Sequence, residues 1–325
     1  MAGVYNQAIT KANVGSEVLV PVEDVNSIIQ DAPKSSVVLS RAMRATMSTA
    51  KQRQPVLSTL PVAYWVNGDT GLKQTSEQLW TDTYITAEEM AVIVPISQAL
   101  LDDASIDIWS EVRPRIAEEM GKKVDQAAIF GTDIPASWGD SIMTRITAAH
   151  NTVIKGTGVD LGVDVASMAQ KVAEEGYAIN GFASKPGLNW QLVGLRSSTG
   201  TPIYTPMAGE TASDLYGYPL NETVNGAWDA TKAIIIGADW TKFVCGIRRD
   251  MTYQVFDQGV ITNDAGAVIV NLMQQDMVAL RVTFRVGFAC AVPKTQLGTS
   301  TSFPAGAVIP AAGATRSAKA TKVEA

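Results

Sequence analysis

The chain is poor in the side chains from which most active sites are built. Among its 325 residues there is one histidine, His150, and there are two cysteines, Cys245 and Cys290. A single histidine excludes most histidine-based metal sites, and two widely separated cysteines form neither a zinc-binding pattern nor a disulfide framework. His150 is left as the one candidate catalytic imidazole. Because no serine or cysteine nucleophile motif accompanies it, we expect it to be structural.

Motifs for phosphate binding and for acid–base chemistry are also missing. The glycine-rich stretch GTGVDLG, residues 156–162, lacks the Gly-Lys-Ser/Thr ending of a Walker loop, and no GxSxG sequence occurs. Pairs of carboxylates stand beside apolar positions on predicted helices, which is typical of a solvated helix face. These pairs are Asp102–Asp103, Glu118–Glu119 and Glu174–Glu175. We therefore expect no catalytic residue, no cofactor and no metal, and we predict that the protein is not an enzyme.

Long hydrophobic runs and an excess of basic charge are absent as well. No apolar run approaches the roughly 20 residues that span a membrane, and the N-terminus lacks the basic start and apolar stretch of a signal peptide. The net charge of −6 gives no sign of a dedicated binder of nucleic acid or anionic membranes. We expect a soluble protein made in the cytoplasm, with both cysteines buried as free thiols.

The composition that remains is that of a globular protein with a thinly charged surface. Hydrophobic residues make up 46% of the chain and charged residues 18%. This balance allows a substantial core, and it indicates that partners cover part of the apolar surface.

The most distinctive stretch is AYWVNGDTGLKQTSEQLWTDTYI, residues 63–85. Turn residues at 67–68 and 70–71 predict a long hairpin that rises over 55–66 and returns over 78–97. Its strands carry the aromatic residues Tyr64, Trp65, Trp80 and Tyr84. Because a lone hairpin is marginally stable in water, these side chains must pack either on the chain's own core or on another copy.

The segment before the hairpin contains two short helical candidates. Residues 22–33 place Val25, Ile28 and Ile29 on one face and stop at a proline, and residues 35–48 form the second candidate. The segment has too little apolar content to form its own core. We interpret it as an arm that docks on something else.

The strongest helical region follows the hairpin, over residues 97–131. Pro114 lies inside it, so the helix either kinks or begins there, and Gly131 ends it. Its apolar residues recur at intervals of three and four, as one stripe. The stripe consists of Trp109, Val112, Ile116, Met120, Val124 and Ala127.

The second half of the chain alternates short elements with loops. A helix is predicted over 163–175, a short buried strand over 233–240, and a neighbouring strand over 243–256. The clearest strand spans 276–292, where every second residue is apolar. From residue 298 onward the chain is rich in Ala, Gly, Ser and Thr, so we expect a flexible tail.

Taken in order, these segments resemble the major capsid protein of tailed bacteriophages, with the Hong Kong 97-like fold. The resemblance covers roughly residues 16–297 and rests on a co-linear series of motifs. In chain order these are VPVEDVNSII, AYWVNGDTG, AEEMAVIVPISQALLDDASIDIWSEV, VDQAAIFG, DLYGYPL, IIIGADW and DMVALRVTFRVGFAC.

The resemblance implies an α+β Hong Kong 97-like capsid fold with six parts. They are an N-terminal arm (1–50), an extended β-hairpin loop (51–96), a long spine helix with a peripheral domain (97–155), an axial domain (about 156–270), a return strand of the peripheral domain (271–297) and a flexible C-terminal tail (298–325).

The implied function is self-assembly of pentamers and hexamers into an icosahedral shell, followed by head maturation. The shell would enclose double-stranded DNA through nonspecific contacts, in a virion assembled in the host bacterial cytoplasm, with no membrane. The resemblance further implies a portal and an optional decoration protein as partners. Some relatives begin with a cleaved scaffolding segment, whereas this arm starts almost at Met1, which implies a separate scaffolding protein or none.

In this family the extended loop lies over a neighbouring subunit, which makes its exposed side chains candidate inter-subunit contacts. In this sequence they are Tyr64, Trp65, Lys73, Trp80 and Tyr84. A few relatives crosslink a loop lysine to an asparagine of a neighbour. Lys73 stands at a suitable place, but no acceptor is identifiable, and the alternative is a solvated or salt-bridging residue.

Three other functions stay open at this point. An encapsulin-type bacterial nanocompartment shell protein shares the fold, and neighbouring genes would distinguish it. A tail or decoration protein would form tubes or trimers. A β-rich hydrolase would depend on His150.

Overall fold

The computed structural model of the chain describes residues 35–66, 71–104, 107–194, 214–299 and 301–311. Its α-helices are α1 (Val37–Arg41), α2 (Gln98–Asp103), α3 (Ile108–Asp125), α4 (Ile142–Ala148), α5 (Leu161–Glu174) and α6 (Leu188–Val193). Its strands are β1 (Met43–Thr46), β2 (Lys51–Thr59), β3 (Leu79–Ser97), β4 (Thr152–Ile154), β5 (Gly181–Ser184), β6 (Asp214–Leu215), β7 (Tyr218–Glu222), β8 (Ile235–Ala238), β9 (Phe243–Phe256), β10 (Val260–Thr262), β11 (Val268–Asn271), β12 (Met277–Cys290) and β13 (Ala305–Ile309).

A five-stranded sheet with the order β1-β9-β12-β3-β2 carries the long strands. The strand β12, predicted over 276–292, lies between β3 and β9 and runs antiparallel to both, while β1 lies parallel to β9. Every second side chain of β12 from Leu280 to Phe288 is buried in the main core. The sheet therefore has one face that packs on the core and one that does not.

The helix α3 lies on the core face of this sheet. Asp107 caps its start by accepting a hydrogen bond from the amide of Trp109, at 3.1 Å. Pro114 sits inside the helix, so the helix begins before the proline. A π-helical turn, Gln126–Phe130, continues it to Gly131, whose φ of 72° ends it as predicted. At 1.5 Å per residue α3 is about 27 Å long.

The apolar stripe predicted for this helix is confirmed. Ile116, Met120, Val124 and Ala127 are buried. Trp109 and Val112 are half-buried against the same core. The stripe thus seats α3 on β12 and its neighbours.

A second sheet of six strands has the order β4-β13-β8-β5-β7-β6. Helix α5 covers it with Val165, Met168 and Val172, which confirms the helix predicted over 163–175. The helix starts slightly earlier than predicted because Asp160 caps it, accepting from the amide of Val163 at 2.9 Å.

The prediction that 233–240 and 243–256 are neighbouring strands is wrong. β8 pairs with β5 and β13 in the six-stranded sheet, whereas β9 pairs with β1 and β12 in the other. A 3₁₀ turn over Trp240–Lys242, capped by Asp239, redirects the chain between the two sheets. The predicted axial segment 156–270 is consequently divided among these two sheets and a separate two-stranded sheet formed by β10 and β11.

The prediction of a flexible tail over 298–325 is also wrong for part of its length. β13 is buried between β4 and β8 in the six-stranded sheet. The amide group of Asn151 fixes its start by donating to the carbonyls of Phe303 and Ala305. The small residues that suggested mobility are needed for close packing, since a Cβ on Gly306 would stand 2.8 Å from Met168.

The arm is described only from residue 35 onward, so the helix predicted over 22–33 lies outside the described residues. The second candidate, 35–48, is shorter than predicted. It consists of the five-residue α1, capped by Ser36, followed by β1. The backbone turns extended at Ala42, and β1 then pairs with the edge of β9.

Candidate functional site

The extended hairpin is built from β2 and the first half of β3. Antiparallel pairing runs from Lys51 opposite Thr86 to Thr59 opposite Leu79. β2 ends at Thr59, so the ladder is shorter than the predicted rise to residue 66. Beyond the ladder the two arms are linked by the hydroxyl of Ser76, which accepts from the amide of Val62 at 2.7 Å. Of the turn residues predicted at 67–68 and 70–71, all but Gly71 lie outside the described residues.

The root of the hairpin is fixed to the rest of the fold. β3 passes without a break from pairing with β2, up to Thr86, to pairing with β12, from Ala87. The indole N–H of Trp138 donates to the carbonyl of Thr86 at 3.1 Å, and the hydroxyl of Ser137 donates to Glu88 at 2.6 Å. A small cluster of buried apolar residues also packs at this junction. It consists of Met47, Ile85, Ala87, Val244 and Ala289.

The hairpin's aromatic side chains are exposed. Trp65 is fully exposed, Trp80 is 64% exposed, Tyr84 is 49% and Tyr64 is 42%. The alternative in which these side chains pack on the chain's own core is therefore not observed. Sequence reasoning missed the aliphatic residues exposed alongside them. These are Val62, Val66, Leu72 and Leu79.

The structure brings some of the predicted residues together and keeps others apart. Trp80 and Tyr84 share one face of β3 with Asp82, as predicted from the alternation of a strand. The ammonium of Lys51 lies 4.2 Å from the centre of the Tyr84 ring. The Tyr64 hydroxyl donates to the carbonyl of Gln74 at 2.8 Å.

Lys73 is exposed on the returning arm, next to Gln74. Among the ring–ring contacts of the described residues, none involves the four hairpin aromatics. The hairpin therefore presents a spread surface instead of a preformed aromatic cluster.

A second functional feature, at the point where the arm enters the fold, was not foreseen from the sequence. The buried carboxylate of Asp125, at the end of α3, accepts four hydrogen bonds. The donors are the hydroxyl of Ser36 (2.6 Å), the amides of Val37 (3.1 Å) and Val38 (3.0 Å) and the side chain of Asn225 (2.7 Å). One side chain thus joins the arm, the long helix and the second half of the chain.

The electrostatics of Asp125 follow from its burial. Burial raises the pKa of this carboxyl above its ordinary value, while the hydrogen bonds from Ser36, Val38, Asn225 and Val37 oppose the rise. The only sequence signal was an acidic residue next to Val124 on the apolar stripe. That signal did not indicate what the carboxylate would bind.

The side chains considered for chemistry do not form a reactive group. Cys245 and Cys290 are buried free thiols, as predicted. Burial raises their pKa values to about 12 and about 11, so both stay protonated at neutral pH. His150 is exposed just after α4, with a φ of 59°.

Within the ranges described above, no group of three or more His, Cys, Asp or Glu side chains is placed to hold a metal ion. None of the helices in those ranges is long and apolar enough to cross a membrane.

Comparison with known proteins places this arrangement in context. The model of the phage capsid family matches residues 16–295. The major capsid protein of Staphylococcus phage 80alpha is 26% identical over 276 residues, covering 84% of this chain and 82% of the relative.

Solved structures extend the likeness to the fold. A structure from Microbacterium phage Oxtober96 has a TM-score of 0.83 and 33% identity, covering 94% of this chain and 100% of its own. One from Mycobacterium phage Cain has a TM-score of 0.82 and 32% identity, covering 95% and 100%.

Proposed function

Because the chain belongs to the phage capsid family and is a major capsid protein of a tailed phage, with the Hong Kong 97-like fold, we propose that its extended hairpin joins each subunit to the next. Its place is the virion, and it works as a homo-oligomer. The encapsulin-type, tail and hydrolase alternatives are not favoured by these relatives. The observation that carries the proposal is the exposure of the hairpin's aromatic and aliphatic side chains.

The exposed apolar side chains of the hairpin gain stability when a neighbouring subunit buries them. A two-stranded hairpin gains little stability alone, and exposed apolar patches mark contact surfaces. Burying about 100 Å² of one aromatic side chain against a neighbour contributes roughly 2–3 kcal/mol. Such a contact is repeated at every subunit of the shell, so modest local energies sum to a stable lattice.

The proposed contact residues divide into two groups. Trp80 and Tyr84 stand on the hydrogen-bonded part of the hairpin, and their β3 backbone is continuous with the central sheet. Tyr64, Trp65 and Lys73 lie beyond the end of the ladder. We assign the first group to contacts near the subunit's own edge and the second to contacts over the neighbour.

We assign the two large sheets to different domains of the capsid subunit. We assign the five-stranded sheet with α3 to the peripheral domain, and the six-stranded sheet with α5 to the axial domain around the symmetry axes of pentamers and hexamers. This assignment revises the bounds expected from the sequence, since β9 joins the first sheet and β13 the second.

Further partners belong to the same proposal. The shell encloses double-stranded DNA through nonspecific contacts, assembles in the host bacterial cytoplasm, and works with a portal and a scaffolding protein. The subunit acts by geometry and without catalysis. The buried, protonated thiols and the isolated His150 are consistent with that.

The proposal is tested by expressing the chain alone and together with its neighbouring genes, with negative-stain imaging of the products. We expect closed shells from the full chain. A variant in which a short Asn-Gly turn replaces residues 60–78 should give folded subunits, by circular dichroism, that do not form closed shells. Closed shells of unchanged thermal stability from that variant would contradict the proposal. A chain ending after residue 311, with the hairpin intact, is the matched control.

A further inference from the structure

The face of the five-stranded sheet that points away from α3 carries three arginines on adjacent strands. Arg281 and Arg285 share this face of β12, and Arg249 on β9 stands directly opposite Arg285. Like charges in directly opposite positions of an antiparallel pair repel each other. On the other side of β12, Glu89 is opposite Arg285, with an oxygen 3.6 Å from its Nε. Among the described strand residues directly opposite Arg281 and Arg285, there is thus one carboxylate for three arginines.

Contacts along the sheet position the Arg281 guanidinium, but some N–H donors of Arg281 and Arg285 have no hydrogen-bond acceptor. Arg281 donates to the side-chain oxygen of Gln254, and its guanidinium carbon lies 4.6 Å from the centre of the Phe256 ring. The Nε atoms of Arg281 and Arg285 are both buried and have no hydrogen-bond partner. Because a docking partner cannot reach these buried atoms, it is the uncompensated charge of the face that indicates an anionic partner.

The same face is also apolar in part. Ile93 on β3, which is 48% exposed, lies opposite Arg281 in the register of the sheet. Ala91 and Phe256 are exposed on the same face. A partner that fits this surface must offer carboxylates and aliphatic side chains together, which fits an acidic amphipathic segment better than a nucleic-acid backbone.

One segment of this chain has that composition and lies outside the described residues. VEDVNSIIQD, residues 22–31, carries Glu23, Asp24 and Asp31 and no basic residue. Its predicted apolar face consists of Val25, Ile28 and Ile29. We propose that residues 22–31 of a second copy of the chain dock on the arginine face, which we define as Arg249, Arg281, Arg285, Ile93 and Phe256.

The reach of the arm favours a second copy over the same subunit. Ser36 is held by Asp125 on the α3 side of the sheet. The five residue steps from Asp31 to Ser36 span at most about 18 Å. Layers pack about 10 Å apart, so a path from the helix layer to the opposite face needs about 20 Å before any detour around β1. The inference rests on the proposed function, since shell assembly supplies the neighbouring arm.

Charge exchange tests the contact itself. We expect Arg281→Glu and Asp24→Arg each to lower the yield of shells about tenfold, and the double variant to recover most of that loss. Lys155→Glu, the same charge change on an exposed turn residue that directly follows β4, is the control and should leave the yield unchanged. A double variant no better than the poorer single variant would overturn the inference. Normal shells that hold less DNA, formed by the Arg281→Glu variant, would also overturn the inference, because the arginine face would then bind nucleic acid.

Disulfide trapping tests which copy supplies the arm. Two differently tagged chains, one with Ile29→Cys and one with Ile93→Cys, are assembled together and oxidised, with the native thiols protected by burial. A crosslinked heterodimer on a denaturing gel is the expected result. Crosslinking only within a single chain that carries both substitutions, or no crosslink in intact shells, contradicts the inference. Failure of the unmodified chain to form shells would instead contradict the proposed function.

Discussion

The hydroxyl of Ser36 donates a 2.6 Å hydrogen bond to Asp125, although the two residues are 89 positions apart in the chain. Their backbones come close because position 121, one turn earlier on α3, is glycine. A Cβ there would stand 3.2 Å from the Cβ of Ser36. The first described residues of the chain are therefore held by the carboxylate of Asp125 and by the absence of a side chain at position 121.

Replacing Asp125 with Asn should destabilise the unassembled subunit by about 2–4 kcal/mol, because a buried amide cannot accept from four donors as the carboxylate does. Urea unfolding followed by circular dichroism measures this loss. Asp133→Asn is the matched control, since Asp133 forms an exposed ion pair with Lys123 and such pairs contribute little. Equal effects of the two substitutions would contradict the role assigned to Asp125.

The same carboxyl should make stability depend on pH in a defined direction. Burial raises the pKa of Asp125 above 3.8 in the folded chain, so the folded state binds this proton more tightly than the unfolded state does. The resulting stabilisation is full below the unfolded pKa and is lost as pH rises through the folded one. Between pH 7 and pH 4, wild type should therefore gain stability relative to Asp125→Asn. A constant difference across that range would refute the expectation.

Trp80→Ala should leave a folded subunit and weaken its assembly. Trp80 is 64% exposed in the single chain, so its loss costs the subunit little. A loss of roughly 2–3 kcal/mol at each contact raises the concentration needed for assembly about 30- to 150-fold. Light scattering across a concentration series measures this change, with Trp80→Phe as the conservative control. Normal shells of unchanged stability, seen by electron microscopy, would be the opposite outcome.

Gly287→Ala should loosen the hairpin root. A Cβ at this position of β12 would stand 2.7 Å from the carbonyl oxygen of Thr86 and 2.9 Å from Ile85. Such overpacking costs about 1–3 kcal/mol. Thermal denaturation should show this loss. Gly194→Ala, whose new Cβ would meet its neighbours at 3.4 Å, should be close to neutral, and similar effects at both positions would argue against the close approach.

Two truncations distinguish the strand β13 from a dispensable tail. A chain ending after Ala311 should remain soluble and melt cooperatively. One ending after Thr301 lacks β13, exposes the edges of β4 and β8, and should be insoluble or unfolded. Comparable solubility and melting curves for the two chains would restore the interpretation of the whole C-terminus as a tail.

These contrasts indicate what sequence patterns could establish. Strong periodicity located β12, α3 and α5, because each buries one regular face against a layer. It failed at β13, where Ala and Gly predominate and the close contact with Met168 and Val172 that selects them is not visible locally. It also failed at β8 and β9, since the turn at Trp240–Lys242 decides which sheet each strand joins.

In the hairpin, too, local features were predictable from the sequence and long-range contacts were not. Its aromatic residues and its strands were evident from the sequence, as was the need for support. The junction with Trp138 was not, because residues 52 positions apart meet there. Asp125 and the arginine face escaped notice for the same reason: their meaning lies in partners distant in sequence.

The continuity of β3 from the hairpin into the central sheet has a mechanical consequence. A pull on the hairpin along its own axis acts on the register between β3 and β12, which extends from Ala87 to Ser97. Hydrogen bonds between antiparallel strands lie perpendicular to the strands, so such a load shears the whole set together instead of opening them one after another. In the proposed shell, the subunit would accordingly resist tension that a neighbour applies along the hairpin, and it would yield more easily to forces that peel β2 away from the side.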